Sequence, residues 1–146
     1  MTTLQGRGVV AGQGAGPALV TQMPINFTAA FSKPHNILPW WRSRISDHHH
    51  DLFKKIIKGT VLVFPACIGS TFTGMVLMQV MHDKAAPAAM IVQDADSLLV
   101  SGSVLAEVWF KSGVPIVEYK SDDLFDKVHT GARVKVNGET GEIKVY

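Results

Sequence analysis

Val61-Leu62-Val63-Phe64-Pro65-Ala66-Cys67-Ile68-Gly69-Ser70-Thr71-Phe72-Thr73-Gly74 opens as an apolar, β-branched run, breaks at Pro65, crosses a short loop and enters a helical pattern near Thr71. Such a stretch reads as a strand handing over to a helix. The hydroxyl of Ser70 falls at the hand-over, where the first backbone N–H groups of a helix lack intrahelical acceptors and carry the positive end of its dipole. Phe72 to Met81 continues almost wholly apolar, as a buried helix does, and Met75, Met78 and Met81 read as core packing. Ala85-Ala86-Pro87 ends it, and Ala88 to Val92 reads as a short buried strand that completes a β-α-β crossover.

Beyond that crossover, Asp94 and Asp96 read as turn and cap formers rather than an acid pair. A second helix is expected from Ser103 to Lys111, with Ser101 and Ser103 as residues of helix-start type. Gly113 to Glu118 then reads as a strand and Asp122 to Val128 as a short helix. Arg133 to Gly138 and Glu142 to Tyr146 alternate apolar and polar residues about a turn, the pattern of an antiparallel hairpin.

On the other side, Gly6, Gly8, Gly12, Gly14 and Gly16 crowd eleven residues. They lack the G-x-G-x-x-G register and no helical pattern follows, so a tight turn between two strands is expected there, not a dinucleotide site. Thr21 to His50 is irregular, interrupted by Pro24, Pro34 and Pro39 and studded with Phe27, Phe31, Trp40 and Trp41. A long loop of this kind is usually functional or faces a partner. Trp40-Trp41 is either an interface anchor or a cover for the chain's own core. Asn26-Phe27-Thr28 is formally a glycosylation sequon and carries no weight without a secretion signal. Asp47-His48-His49-His50-Asp51 has the residue types of a metal site, but neighbouring side chains point apart, so a structural role or a single His–Asp contact is expected.

These elements describe an α/β fold: a mixed, barrel-like sheet, β-rich N- and C-terminal segments around a β/α/β/α/β middle, with helices on one side. The 146 residues suit a single domain, 1–146. Hydrophobic residues make up 47% and charged ones 18%, with a mean hydropathy of +0.17. That is more apolar than a solitary chain needs, and a partner subunit is the simplest reading. The formal charge of +2 is spread without a dense basic run, so nucleic acid is not expected as a partner. No apolar stretch reaches the roughly 18 residues of a membrane span and no targeting pattern opens the chain, so a soluble, cytoplasmic protein is expected. Cys67 stands alone and by itself holds neither a disulfide nor a metal cluster.

Several chemistries at the central loop fail on pattern. No lysine follows Gly74 as a phosphate loop requires, and Ile68-Gly69-Ser70-Thr71-Phe72 is not the Gly-x-Ser-x-Gly of a hydrolase elbow. Cys67 as a nucleophile is less favoured than Cys67 as a small buried residue. Ser70 is left as a proton-transfer group or an anion ligand, supported by the N–H groups of Thr71, Phe72 and Thr73, or as an ordinary helix cap.

Gly16-Pro17-Ala18-Leu19-Val20, Pro24-Ile25-Asn26-Phe27, Asp47-His48-His49-His50, Leu62-Val63-Phe64-Pro65, Gly69-Ser70-Thr71, Ala86-Pro87-Ala88-Ala89-Met90-Ile91-Val92 and Gly113-Val114-Pro115-Ile116-Val117 together resemble the small subunit, or swivel domain, of the aconitase X family. The resemblance spans nearly the whole chain. It implies a swivelling β/β/α barrel that closes over a large subunit carrying iron or an iron–sulfur cluster, this chain binding no metal of its own. It implies hydro-lyase chemistry on a small hydroxy acid, with cis-3-hydroxy-L-proline as the leading substrate and mevalonate 5-phosphate as the alternative. A non-catalytic binding or assembly module of the same fold is the reading from another class. In the wider superfamily the serine after the glycine of a Gly-Ser-Ser loop is the base. That position is Ser70 here, with Gly69, Thr71, Phe72 and Thr73 around the substrate. Thr71 replaces the second serine, and Phe72 stands where the superfamily has an arginine, so aconitase's carboxylate binding does not carry over. Thr28-Ala29-Ala30-Phe31 also departs from the family's glycine-rich turn.

Overall fold

The computed structural model describes residues 1–31, 43–69 and 71–146. In chain order the elements are β1 (Thr2–Gln5), β2 (Arg7–Val10), β3 (Gln13–Val20), α1 (Phe27–Ala30), β4 (Val61–Phe64), α2 (Thr73–His82), β5 (Ala89–Val92), α3 (Ser97–Phe110), β6 (Ile116–Glu118), α4 (Leu124–Lys127), β7 (Arg133–Asn137) and β8 (Glu142–Val145). The strands form one mixed sheet in the order β1-β8-β7-β3-β4-β5-β6-β2. Its centre, β3-β4-β5-β6, is parallel, and antiparallel neighbours flank it, β7 beside β3 and β2 beside β6.

The sequence of β4 and β5 follows from this position. A central parallel strand is covered on both faces and so has no polar side. Leu62, Phe64, Met90 and Val92 point into the core beneath the helices, while Val61, Val63, Ala89 and Ile91 point into a second core shared with Leu4, Val134, Val136 and Ile143. Alternation along each strand therefore assigns residues to one of two apolar layers.

The sheet is barrel-like without being a closed barrel. β1 pairs with β8 at one end of the series and β2 with β6 at the other, and Gly6 alone separates β1 from β2. The two ends are thus joined through the chain, not through a hydrogen-bonded ladder. The glycines near the start serve two different needs. Gly12, with φ of +127°, makes the expected turn. Gly14 and Gly16 instead lie inside β3, where a Cβ would strike the carbonyl oxygens of Ala88 and Gly59; close backbone approach, not turning, requires them.

The second helix begins earlier than its sequence suggests. α3 starts at Ser97, and its N-cap is Asp96, whose side chain accepts from Leu99 N. Gly102, which looks like a break, lies within the helix where α2 crosses it: a Cβ there would sit 2.9 Å from the carbonyl oxygen of Gly74. Ser101 and Ser103 are accordingly not at a helix start. Ser103 is fully buried; its hydroxyl donates to Val114 O at 2.6 Å and accepts from Val114 N at 2.7 Å, tying α3 to the approach of β6. The expected C-terminal hairpin forms, with Val134 opposite Val145 and Val136 opposite Ile143. Trp40 and Trp41 lie outside the described residues.

Candidate functional site

The parallel strands all point their C-terminal ends to one edge, the edge at which ligands usually bind in open α/β sheets. The loop after β4 and the starts of α1, α2 and α3 gather there. Ile25 stitches the loop down: its N–H donates to Ala66 O and its carbonyl accepts from Ile68 N, both at 3.0 Å. The next residue, Asn26, caps α1 with Oδ1, which accepts from Thr28 N at 3.1 Å and Ala29 N at 3.2 Å. Its amide nitrogen lies where a Cβ on Gly69 would fall, and Gly69 has φ of +88°. Gly69 is therefore required twice over, by backbone conformation and by space.

Pro65 O accepts from Gln93 N and Asp94 N, at 3.0 Å each, so the loop after β4 is also bound to the loop after β5. Of the residues assigned from sequence, Gly69, Thr71 and Phe72 are exposed on this edge and Thr73 is buried in the first turn of α2. Ser70 lies outside the described residues. The N-cap position of α2 belongs to Phe72, whose ring offers no acceptor.

Cys67 fills a partly buried position in the same loop. Burial, and secondarily the charge of Asp96, push its thiol well above the ordinary range, which keeps it protonated and poorly nucleophilic. The histidine run diverges as expected of neighbours. His48 packs against Phe53, with ring centroids 4.6 Å apart, whereas His50 is buried and its Nδ1 accepts from Leu52 N at 3.1 Å. Asp51 Oδ1 accepts from Thr21 Oγ1 at 2.7 Å, fastening this segment to the end of β3. Among the described residues no cluster of three or more His, Cys, Asp or Glu side chains could hold a metal ion, and no helix is long and apolar enough to cross a membrane.

Two features of this edge were not legible as such. Asn26 reads in sequence only as part of a formal sequon within an irregular segment, whereas it caps α1 and reaches Gly69 by a tertiary approach. Glu118, at the end of β6 with a side chain only 3% exposed, is held by Arg7, 111 positions earlier in the sequence. Oε1 accepts from Arg7 Nε and Nη2 at 3.1 and 3.0 Å, and Oε2 from Ala95 N at 2.9 Å, just before α3. Burial pushes this carboxyl up, but the Ala95 amide, Arg7 and Lys120 outweigh it and hold the group below its ordinary value of 4.5. A depressed value means that the stabilisation is present above pH 4.5 and is lost as pH falls through the folded value. Glu118→Gln should cost about 1.5 kcal/mol at neutral pH, as for a hydrogen bond to a charged group. Thermal unfolding of both proteins should show a difference that is constant above about pH 5.5 and disappears in acid; a difference that grows in acid would contradict this account.

Comparison with known proteins agrees with this architecture. A profile of the aconitase X swivel domain matches residues 3–145. The phosphomevalonate dehydratase small subunit of Methanothermobacter thermautotrophicus is 30% identical over 138 residues, covering 94% of this chain and 95% of that one. Its namesake from Methanocella arvoryzae is 30% identical over 142 residues, covering 97% and 98%. The crystal structure of holo-form aconitase X from Thermococcus kodakaraensis matches with a TM-score of 0.83 at 27% identity, over 100% of this chain and 99% of that one. With a profile that spans almost every residue and relatives of matching length, the chain belongs to the aconitase X swivel-domain family.

Proposed function

We propose that this chain is the small subunit of a hydro-lyase that dehydrates a phosphorylated hydroxy acid of the mevalonate 5-phosphate type, working together with a large subunit of the aconitase X kind. The observation that carries the reading is the near end-to-end likeness to chains named phosphomevalonate dehydratase small subunit. These relatives favour the phosphorylated substrate over cis-3-hydroxy-L-proline, the substrate that the sequence resemblance put first.

Water leaves such a substrate by loss of a proton from the carbon beside the carboxylate and of hydroxide from the next carbon. Ser70 is our candidate for the group that takes the proton. A serine hydroxyl is a weak base unless fixed dipoles favour its alkoxide, and the N–H groups of Thr71, Phe72 and Thr73, at the start of α2, are candidates for that role and for holding the substrate with Gly69. The clamp of Ile25 and Asn26 on the loop supports this, because proton transfer needs a donor and acceptor held in place. We assign the iron, or iron–sulfur cluster, that supplies the Lewis acid in this chemistry to the large subunit.

The test is an assay of the two-subunit complex. Mevalonate 5-phosphate should be dehydrated with a kcat/KM at least about 100-fold above that for cis-3-hydroxy-L-proline, since a site built for a phosphate rejects an analogue without one. Preference for hydroxyproline, or full activity of the large subunit without this chain, would overturn the proposal.

A further inference from the structure

α3 carries one charged residue in fourteen, Glu107, and that carboxylate is turned aside to accept from Gly113 N at 3.0 Å. The helix is otherwise uncharged and mostly apolar, the composition of a buried helix. One side is indeed buried, since Leu99, Gly102, Ser103 and Ala106 face the sheet and α2. The other is not. Six of the thirteen large apolar side chains exposed among the described residues lie on α3, with Val108 at 60% and Trp109 at 61% exposure. So dense an uncharged patch on one helix marks an interaction surface.

Its neighbours indicate what covers it. At the site edge, Leu98 O of α3 lies 3.2 Å from the position of a Cβ on Gly74, beside the exposed Phe72 and Met75 at the start of α2. At the far end, Phe110 packs on His82 with centroids 4.7 Å apart and on Trp109 at 6.4 Å. The apolar surface therefore runs without a charged break from the candidate loop along both helices. A second copy of this chain seated on it would cover Phe72 and Met75 and shut the large subunit away from the loop.

We propose that the outer face of α3, continuous with the start of α2, is the seat of the large subunit. It rests on the reading of this chain as a small subunit. An uncharged, aromatic-rich face of this kind suits a lasting subunit contact better than a transient one, and Trp109 is the residue type that most often dominates such contacts.

Trp109→Asp and Val108→Asp, each combined with the co-expressed large subunit, should raise the Kd of the complex by about 30-fold or more. Neither side chain is buried within this chain, so the thermal midpoint of the isolated variants should stay within about 2 °C of wild type. Hydroxyl-radical footprinting of the unmutated complex gives a second readout that needs no variant: Trp109 should be protected by the large subunit. Unchanged affinity in both variants, or an unprotected Trp109, would overturn the proposal. So would a homodimer of the isolated chain that Trp109→Asp dissolves while large-subunit binding persists. Because these measurements read assembly and not turnover, a complex that assembles through this face yet fails to dehydrate mevalonate 5-phosphate would refute the proposed function alone.

Discussion

Ser70→Ala in the assembled complex should lower kcat by about 1,000-fold, within the range by which a positioned proton-transfer group contributes to catalysis. KM and the yield of complex should change little, because the alanine removes one oxygen from a loop that others hold. Ile25 fixes that loop through the two backbone hydrogen bonds to Ala66 and Ile68, and neither depends on the Ser70 side chain. Exchange of the substrate's proton with deuterated solvent should fall in parallel with turnover. A variant that retains kcat within tenfold would remove Ser70 from the proton-transfer step. A variant that loses turnover and yet keeps solvent exchange would place its role elsewhere in the reaction.

The second large effect is on stability. Gly14→Ala should destabilise the fold by about 3 kcal/mol, the upper range for overpacking into a site that cannot relax. The added methyl would fall on the carbonyl oxygen of Ala88, and Ala88 is itself fixed by donating its N–H to Thr60 O at 2.7 Å. β3 and the start of β5 cannot separate without disturbing β4, which is paired to both. For a chain of this size the thermal midpoint should drop by roughly 6–12 °C. A shift below about 2 °C would show that the backbone at Ala88 yields more easily than its pairing suggests.

What could be read from the sequence divides by the range of the interactions involved. The β4 run, the apolar α2 pattern and the Arg133–Val145 hairpin are specified by residues close together in the chain, and each forms near its expected place. The start of α3 is misplaced in a sequence reading because Ser101 and Ser103 are of helix-start type, while the Gly102 between them lies inside the helix. Its reason lies 28 positions away at Gly74, where two helices need room to cross. Gly14 and Gly16 are misread as turn residues on the same grounds, since the backbones that press on them belong to distant segments. At the site, the Gly69-Ser70-Thr71 motif is visible as sequence. Asn26 against Gly69 and Arg7 against Glu118 are not, because no local pattern encodes a contact between segments that meet only after folding.

The single residue Gly6 between β1 and β2 has a consequence for how the chain reaches this state. Thr2 pairs with Val145 and Arg7 with Glu118, so the strands synthesised first must wait for partners synthesised more than a hundred residues later. Loop closure over such separations is entropically costly and slows folding. The parallel centre, whose β4-α2-β5 and β5-α3-β6 units close over shorter spans, can form before it. The first ten residues then act as a latch, fastening two distant edges in a late step, and weakening that latch should slow folding less than it speeds unfolding.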